Sequence, residues 1–118
     1  MTIRPGKYDL FILQGATLSA QFIWTDEEDA LINLTGYTAR LKAREGIDST
    51  NAFLDLTTEN GGITLGGAAG TITLNMTAAA TAALTTQIGF YDLELISGAS
   101  FVTRLLQGRI IISREVTR

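Results

Sequence analysis

The chain contains neither cysteine nor histidine. Without cysteine there is no disulfide framework, no thiolate nucleophile and no zinc–thiolate site. That absence leaves the compartment open, because stability has to come from packing in either case. Without histidine, the commonest metal ligand and the usual general base near neutral pH are missing. Together the two absences argue against an enzyme and leave only carboxylate chemistry. No residue set supplies an oriented acid, base and oxyanion donor. The expectation is therefore a protein with no catalytic residue, no metal and no cofactor. Positive charge is also scarce: nine Lys and Arg stand against twelve Asp and Glu, for a formal net charge of −3. An acidic chain lacks the basic footprint that a phosphate backbone requires, so nucleic acid is not an expected partner. No apolar run approaches the length of a membrane span, and Met1 to Lys7 lacks the apolar stretch of a signal peptide. These features point to a soluble chain made in the cytoplasm, without membrane contact.

What the sequence does have is enough apolar material for one core. Apolar residues make up 46% of the 118 positions and charged residues 18%, too apolar for disorder and too well mixed for a fibre. A chain of this length buries roughly two-thirds of the surface its unfolded form exposes. A single domain over residues 1–118 is expected, with its core at about 8–113 and flexible termini.

Side chains in a strand alternate between faces, so a half-buried strand is apolar at every second position. Leu18, Ala20, Phe22 and Trp24 share one face, with Thr17, Ser19, Gln21 and Thr25 on the other and Ile23 as the lone apolar exception. Tyr37, Ala39, Leu41 and Ala43 alternate with Thr38, Arg40, Lys42 and Arg44. Leu54 and Leu56, then Ile72, Leu74 and Met76, then Tyr91, Leu93 and Leu95 repeat the pattern. Asn60-Gly61-Gly62 and Gly66-Gly67-Ala68-Ala69-Gly70 punctuate it as hairpin turns. Phe101 to Ser113 reads as one long strand, with Gly108 marking a bulge or bend. Ile110-Ile111-Ile112 reads as a stretch buried on both sides. One segment departs from the pattern. Thr77 to Leu84 is alanine-rich, which predicts one or two helical turns capped by Thr77 and plugged into an end of the fold by Leu84. Seven or eight short strands at this spacing predict an all-β antiparallel sandwich.

Five clusters invite a chemical reading. Asp26-Glu27-Glu28-Asp29 could offer carboxylates to Ca²⁺, but it lacks the alternation and central glycine of an EF-hand loop and reads better as a solvated hairpin tip. The glycine-rich stretch 61–67 lacks the Lys-Ser/Thr ending and following helix of a phosphate loop. Asp92 and Glu94 share a strand face, but nothing indicates the cleft that glycosidase chemistry needs. Trp24, beside Phe22, reads as a core anchor rather than a sugar platform. Arg40, Lys42 and Arg44 form a basic stripe. They read either as an exposed face, that of an edge strand protected by charge, or as a docking site for an acidic partner surface, and they are the candidate protein interface.

Gly89-Phe90-Tyr91-Asp92-Leu93, following a short helix, resembles the entry to the sixth strand of immunoglobulin-like domains. There a tyrosine closes the corner between strands E and F, with its hydroxyl bonded back to upstream backbone. By that similarity Tyr91 is the corner tyrosine, Leu93 stands where a cysteine is usual, and Trp24 and Leu93 are core. Wider phrases extend the resemblance over about Tyr8 to Ser113. They are Gln14-Gly15-Ala16-Thr17, Leu34-Thr35-Gly36-Tyr37-Thr38-Ala39-Arg40, the segment from Leu56 to Ile63, the alanine-rich segment and Gly89 to Leu95. Together they are similar to small virion proteins of tailed bacteriophages, in particular the Ig-like N-terminal domain of phage baseplate upper proteins.

In those larger proteins the domain attaches receptor-binding parts to the tail. A chain that stops after the domain is expected to be an adaptor or decoration subunit. The resemblance implies a structural virion protein of the tail, baseplate or neck, in contact with other phage virion proteins. It implies a symmetric homo-oligomer or multiple copies on a ring. A capsid decoration protein is the alternative, and a carbohydrate-binding or adhesion module a further one.

Overall fold

The computed structural model describes residues 6–117, together with the backbone of residues 2–3. Among the described residues ten strands form two sheets: β1 (Thr2–Ile3), β2 (Gly6–Lys7), β3 (Leu10–Leu13), β4 (Leu18–Trp24), β5 (Thr38–Arg44), β6 (Leu54–Thr57), β7 (Ile63–Leu65), β8 (Thr71–Met76), β9 (Ile88–Ile96) and β10 (Val102–Ser113). One sheet has the order β1-β4-β8-β7. The other has the order β2-β10-β9-β5-β6, with β3 following β2 along the same edge of β10. The protein is an all-β sandwich.

The alternation in the sequence explains how the sheets close on each other. Ala39, Leu41 and Ala43 of β5, Leu93 and Leu95 of β9, and Ile72 and Leu74 of β8 are all buried in one cluster, together with Phe22 of β4. Each fully buried aliphatic side chain stabilises the fold by about 1.5–3 kcal/mol of transfer free energy. Leu18, Ala20 and Trp24 pack at the margin of the same cluster. The short helix α1 (Ala78–Ala82) starts at Thr77, whose hydroxyl accepts from the Ala80 amide at 3.1 Å, and Leu84 is buried just beyond it. Thr81 is buried as well: its hydroxyl accepts from the Gly15 amide (3.0 Å) and donates to the Ala16 carbonyl (2.8 Å), fastening the helix to the β3–β4 turn.

Several expectations are corrected. Thr2–Ile3 pair in parallel with β4, and Gly6–Lys7 pair in parallel with β10. β3 is a further parallel neighbour of β10. These three N-terminal pieces raise the strand count to ten and add parallel edges to an antiparallel framework. The bulge in β10 lies between Arg104 and Leu106, not at Gly108. It turns the consecutive side chains Leu105 and Leu106 into the core together. Gly108 serves a different purpose: a Cβ there would collide with the carbonyl oxygen of Tyr8. The Ile110–Ile112 stretch is buried on one side, through Ile110 and Ile112, while Ile111 sits half-buried on the outer face.

Candidate functional site

The two outer faces differ in chemistry, and the basic stripe lies on the richer one. Strand register aligns that face in rows. Arg109 (β10) stands opposite Phe90 (β9), which stands opposite Arg44 (β5). The next row runs Lys7, Gln107, Asp92, Lys42 and Asp55 across β2, β10, β9, β5 and β6. The row after it runs Arg104, Glu94, Arg40 and Thr57. Carboxylates on β9 therefore fall between the cations of its two neighbours. Arg40 Nε lies 2.7 Å from Glu94 Oε1, and Arg104 Nε lies 3.6 Å from Asp92 Oδ2. Pairs this exposed contribute about 0.2–1 kcal/mol at most, and they orient side chains more than they stabilise the fold.

The rows enclose a shallow groove of about 820 Å³ with Ile47 and Phe90 at its apolar end. Its lining includes six of the chain's nine basic residues (Lys7, Arg40, Lys42, Arg44, Arg104 and Arg109) and three of its twelve acidic ones (Asp9, Asp92 and Glu94). A chain with a formal net charge of −3 thus concentrates a local excess of three positive charges along this groove. Arg44 is held in place by the carbonyls of Ser49 (3.2 Å) and Thr50 (2.8 Å). Neutral carbonyls anchor its guanidinium without cancelling its charge.

Past the groove the same face turns apolar. Phe11 (β3), Ile111 (β10) and Ile88 (β9) stand side by side across three strands. Phe11 is 63% exposed, Ile88 47% and Phe90 40%. Leu13 is exposed beside them. An apolar row rimmed by charge is the usual composition of a contact surface on a soluble fold. No local pattern marks this row, because its members come from three strands that only the register brings together.

Leu93 is in the core and Trp24 at its margin, where its ring meets Tyr37 edge-on at 6.2 Å. Tyr91 is buried, and its hydroxyl donates to the Tyr8 carbonyl at 2.6 Å. That partner lies 83 residues upstream, not in the segment just before β9. The bond ties β9 to the N-terminal edge at the point where Gly108 makes room for the Tyr8 carbonyl. Burial pushes the Tyr91 phenol well above its usual range, and the nearby Tyr8 and Asp9 push it further the same way. Asp9 repairs the edge where β2 and β3 part, accepting from the Arg109 amide through Oδ1 at 3.2 Å.

Asp26 to Asp29 form an exposed hairpin tip, in which Asp26 Oδ1 accepts from the amides of Glu28 (2.8 Å) and Ala30 (3.0 Å). Among the described residues no cluster of three carboxylates is arranged to hold a metal ion, and no helix is long and apolar enough to cross a membrane. No protein-family model matches the chain, and no curated protein is significantly similar to it.

Proposed function

We propose that the chain is a structural virion subunit of a tailed bacteriophage, an adaptor of the tail, baseplate or neck, whose working surface is the outer face of the β10-β9-β5 sheet. The observation that carries the binding role is the groove on that face. It combines surplus cations, two pre-formed ion pairs and an exposed aromatic–aliphatic row on a rigid sheet. Rigid placement lowers the entropy lost on docking. No titratable pair in the groove sits enclosed as a general acid and base would, which favours recognition over turnover.

The strand order supports the immunoglobulin-like reading. β4, β8 and β7 fall where strands B, E and D lie in such domains, and β10, β9, β5 and β6 where G, F, C and C′ lie. The phage assignment rests on the sequence resemblance over 8–113. The outer-face groove offers such a subunit a surface for contact with other virion proteins.

Immuno-electron microscopy of intact particles, with antibody raised against the purified chain, tests the assignment. Label at the tail, baseplate or neck is the expected result. Label spread over the head would make the chain a decoration protein, and a chain found only in host lysate would sink both.

A further inference from the structure

The groove has a chemical counterpart elsewhere on the same chain. Residues 26–31, between β4 and β5, are all exposed and read Asp-Glu-Glu-Asp-Ala-Leu. They form a set shape: besides the two bonds to Asp26 Oδ1, the Asp26 amide donates to the Ala30 carbonyl (2.9 Å), and Thr25 bridges Leu31. Glu27 and Glu28 sit at the tip, with Leu31, 54% exposed, at its base. Carboxylates next to an exposed leucine complement cations next to Phe90 and Ile47.

Within one copy the two do not meet. The tip leads into the start of β5, where Thr38 pairs with Ile96 at the far end of β9. The apolar end of the groove lies at the opposite end of these strands, where Arg44 pairs with Phe90. None of residues 26–31 lines the groove. Two grooves placed face to face would oppose their surplus cations, which disfavours a two-fold dimer through this surface.

We infer that the acidic tip of one copy docks in the cationic groove of the next, so that the chain assembles head to tail. Such a contact is heterologous, and it closes into a ring or runs on as a filament according to the rotation between neighbours. The inference rests on the reading that the groove is the working surface, and it names a second copy of this chain as the occupant. Among the described residues the side chains of Lys42 and Arg109 make no hydrogen bond or ion pair, which leaves these two groove cations to meet Glu27 and Glu28.

Sedimentation velocity of the full chain over a concentration series tests it, with three proteins: the wild type, a groove variant (Lys42→Ala with Arg109→Ala) and a tip variant (Glu27→Gln with Glu28→Gln). All four side-chain changes fall on exposed surface, and circular dichroism melts confirm that each variant folds. The wild type is expected to self-associate at low ionic strength and to dissociate at about 0.5 M salt, where the Debye length falls to a few ångströms. Each variant alone is expected to bind itself at least about tenfold more weakly. An equimolar mixture of the two is expected to stop at a dimer, because only the wild-type tip of one and the wild-type groove of the other remain to meet.

A wild type that stays monomeric at millimolar concentration overturns the inference. So does a variant that associates as strongly as the wild type, or a mixture that rebuilds the larger species. If the chain is monomeric yet the groove variant is lost from particles, head-to-tail pairing fails and the virion reading stands. If the chain pairs as described but is absent from particles, the reverse holds.

Discussion

The two sheets carry opposite kinds of polarity on their outer faces. The outward residues of β4, β7 and β8 include Ser19, Gln21, Thr64, Thr71, Thr73 and Asn75, and none of these three strands contains a charged residue. That face satisfies itself: the Gln21 amide donates to Thr73 Oγ1 at 3.2 Å, and the Asn75 amide to Thr64 Oγ1 at 3.0 Å. The other sheet carries every charged residue found in a described strand, along with the exposed Phe11, Ile88 and Phe90. Both faces cover the same core, so stability does not require the difference. A neutral lattice of hydroxyls and amides offers a partner little beyond what water supplies. A face of long cations and exposed rings can exchange water for a better match.

The contrast holds only if the faces belong to one cooperative body. Leu93→Ala, in the shared core, should cost about 2–5 kcal/mol. Hydrogen exchange should then accelerate in β4 and β8 as well as in β5 and β9. Acceleration confined to β5 and β9 would mean that the sheets melt separately. Thr81→Val should cost about 1–3 kcal/mol, since it leaves the Gly15 amide and the Ala16 carbonyl without their buried partner. That loss should loosen the β3–β4 turn that joins the sheets, read as a lower melting temperature.

Tyr91→Phe removes the bond to Tyr8, for about 1 kcal/mol, and should loosen the N-terminal edge of the charged sheet alone. It also carries a pH signature. The folded-state pKa of Tyr91 is raised above the unfolded value of about 10. Its contribution is therefore fully present below about pH 10 and is lost as pH climbs beyond it toward the folded value. Melting temperature should fall above about pH 10 in the wild type and fall less steeply in Tyr91→Phe. The smallest effects separate the faces themselves. Arg40→Ala should cost no more than about 1 kcal/mol, and high salt should erase most of it. Gln21→Ala should cost about 0.5 kcal/mol or less, with no dependence on salt.

The sandwich was legible in β4, β5, β8 and β9 because each buries one face, which imposes a period of two on Leu18 to Trp24 or Ala39 to Ala43. The helix was legible through Thr77 and the alanines, whose preferences are local. β3 was missed for a physical reason. Leu10 and Ile12 enter the core while Phe11 and Leu13 remain outside, so a half-exposed strand reads as an unbroken apolar run. The same ambiguity made Ile111 look buried. Gly108 announced something special in β10, but its cause is a carbonyl a hundred positions away in sequence, and the bulge at Leu105 carries no turn residue at all. Of the candidate site, the stripe Arg40, Lys42 and Arg44 could be read from alternation. The cations of β2 and β10 and the row Phe11, Ile111 and Ile88 could not, since only strand order makes them neighbours.

The parallel pairing of β3 with β10 has a mechanical consequence. Tension applied between residue 6 and residue 113 would drag these two strands past each other along their shared axis. The hydrogen bonds joining Leu10–Leu13 to Ile110–Ser113 would then be strained simultaneously instead of parting one after another. A chain held at those two points would resist being pulled open far better than its modest size suggests.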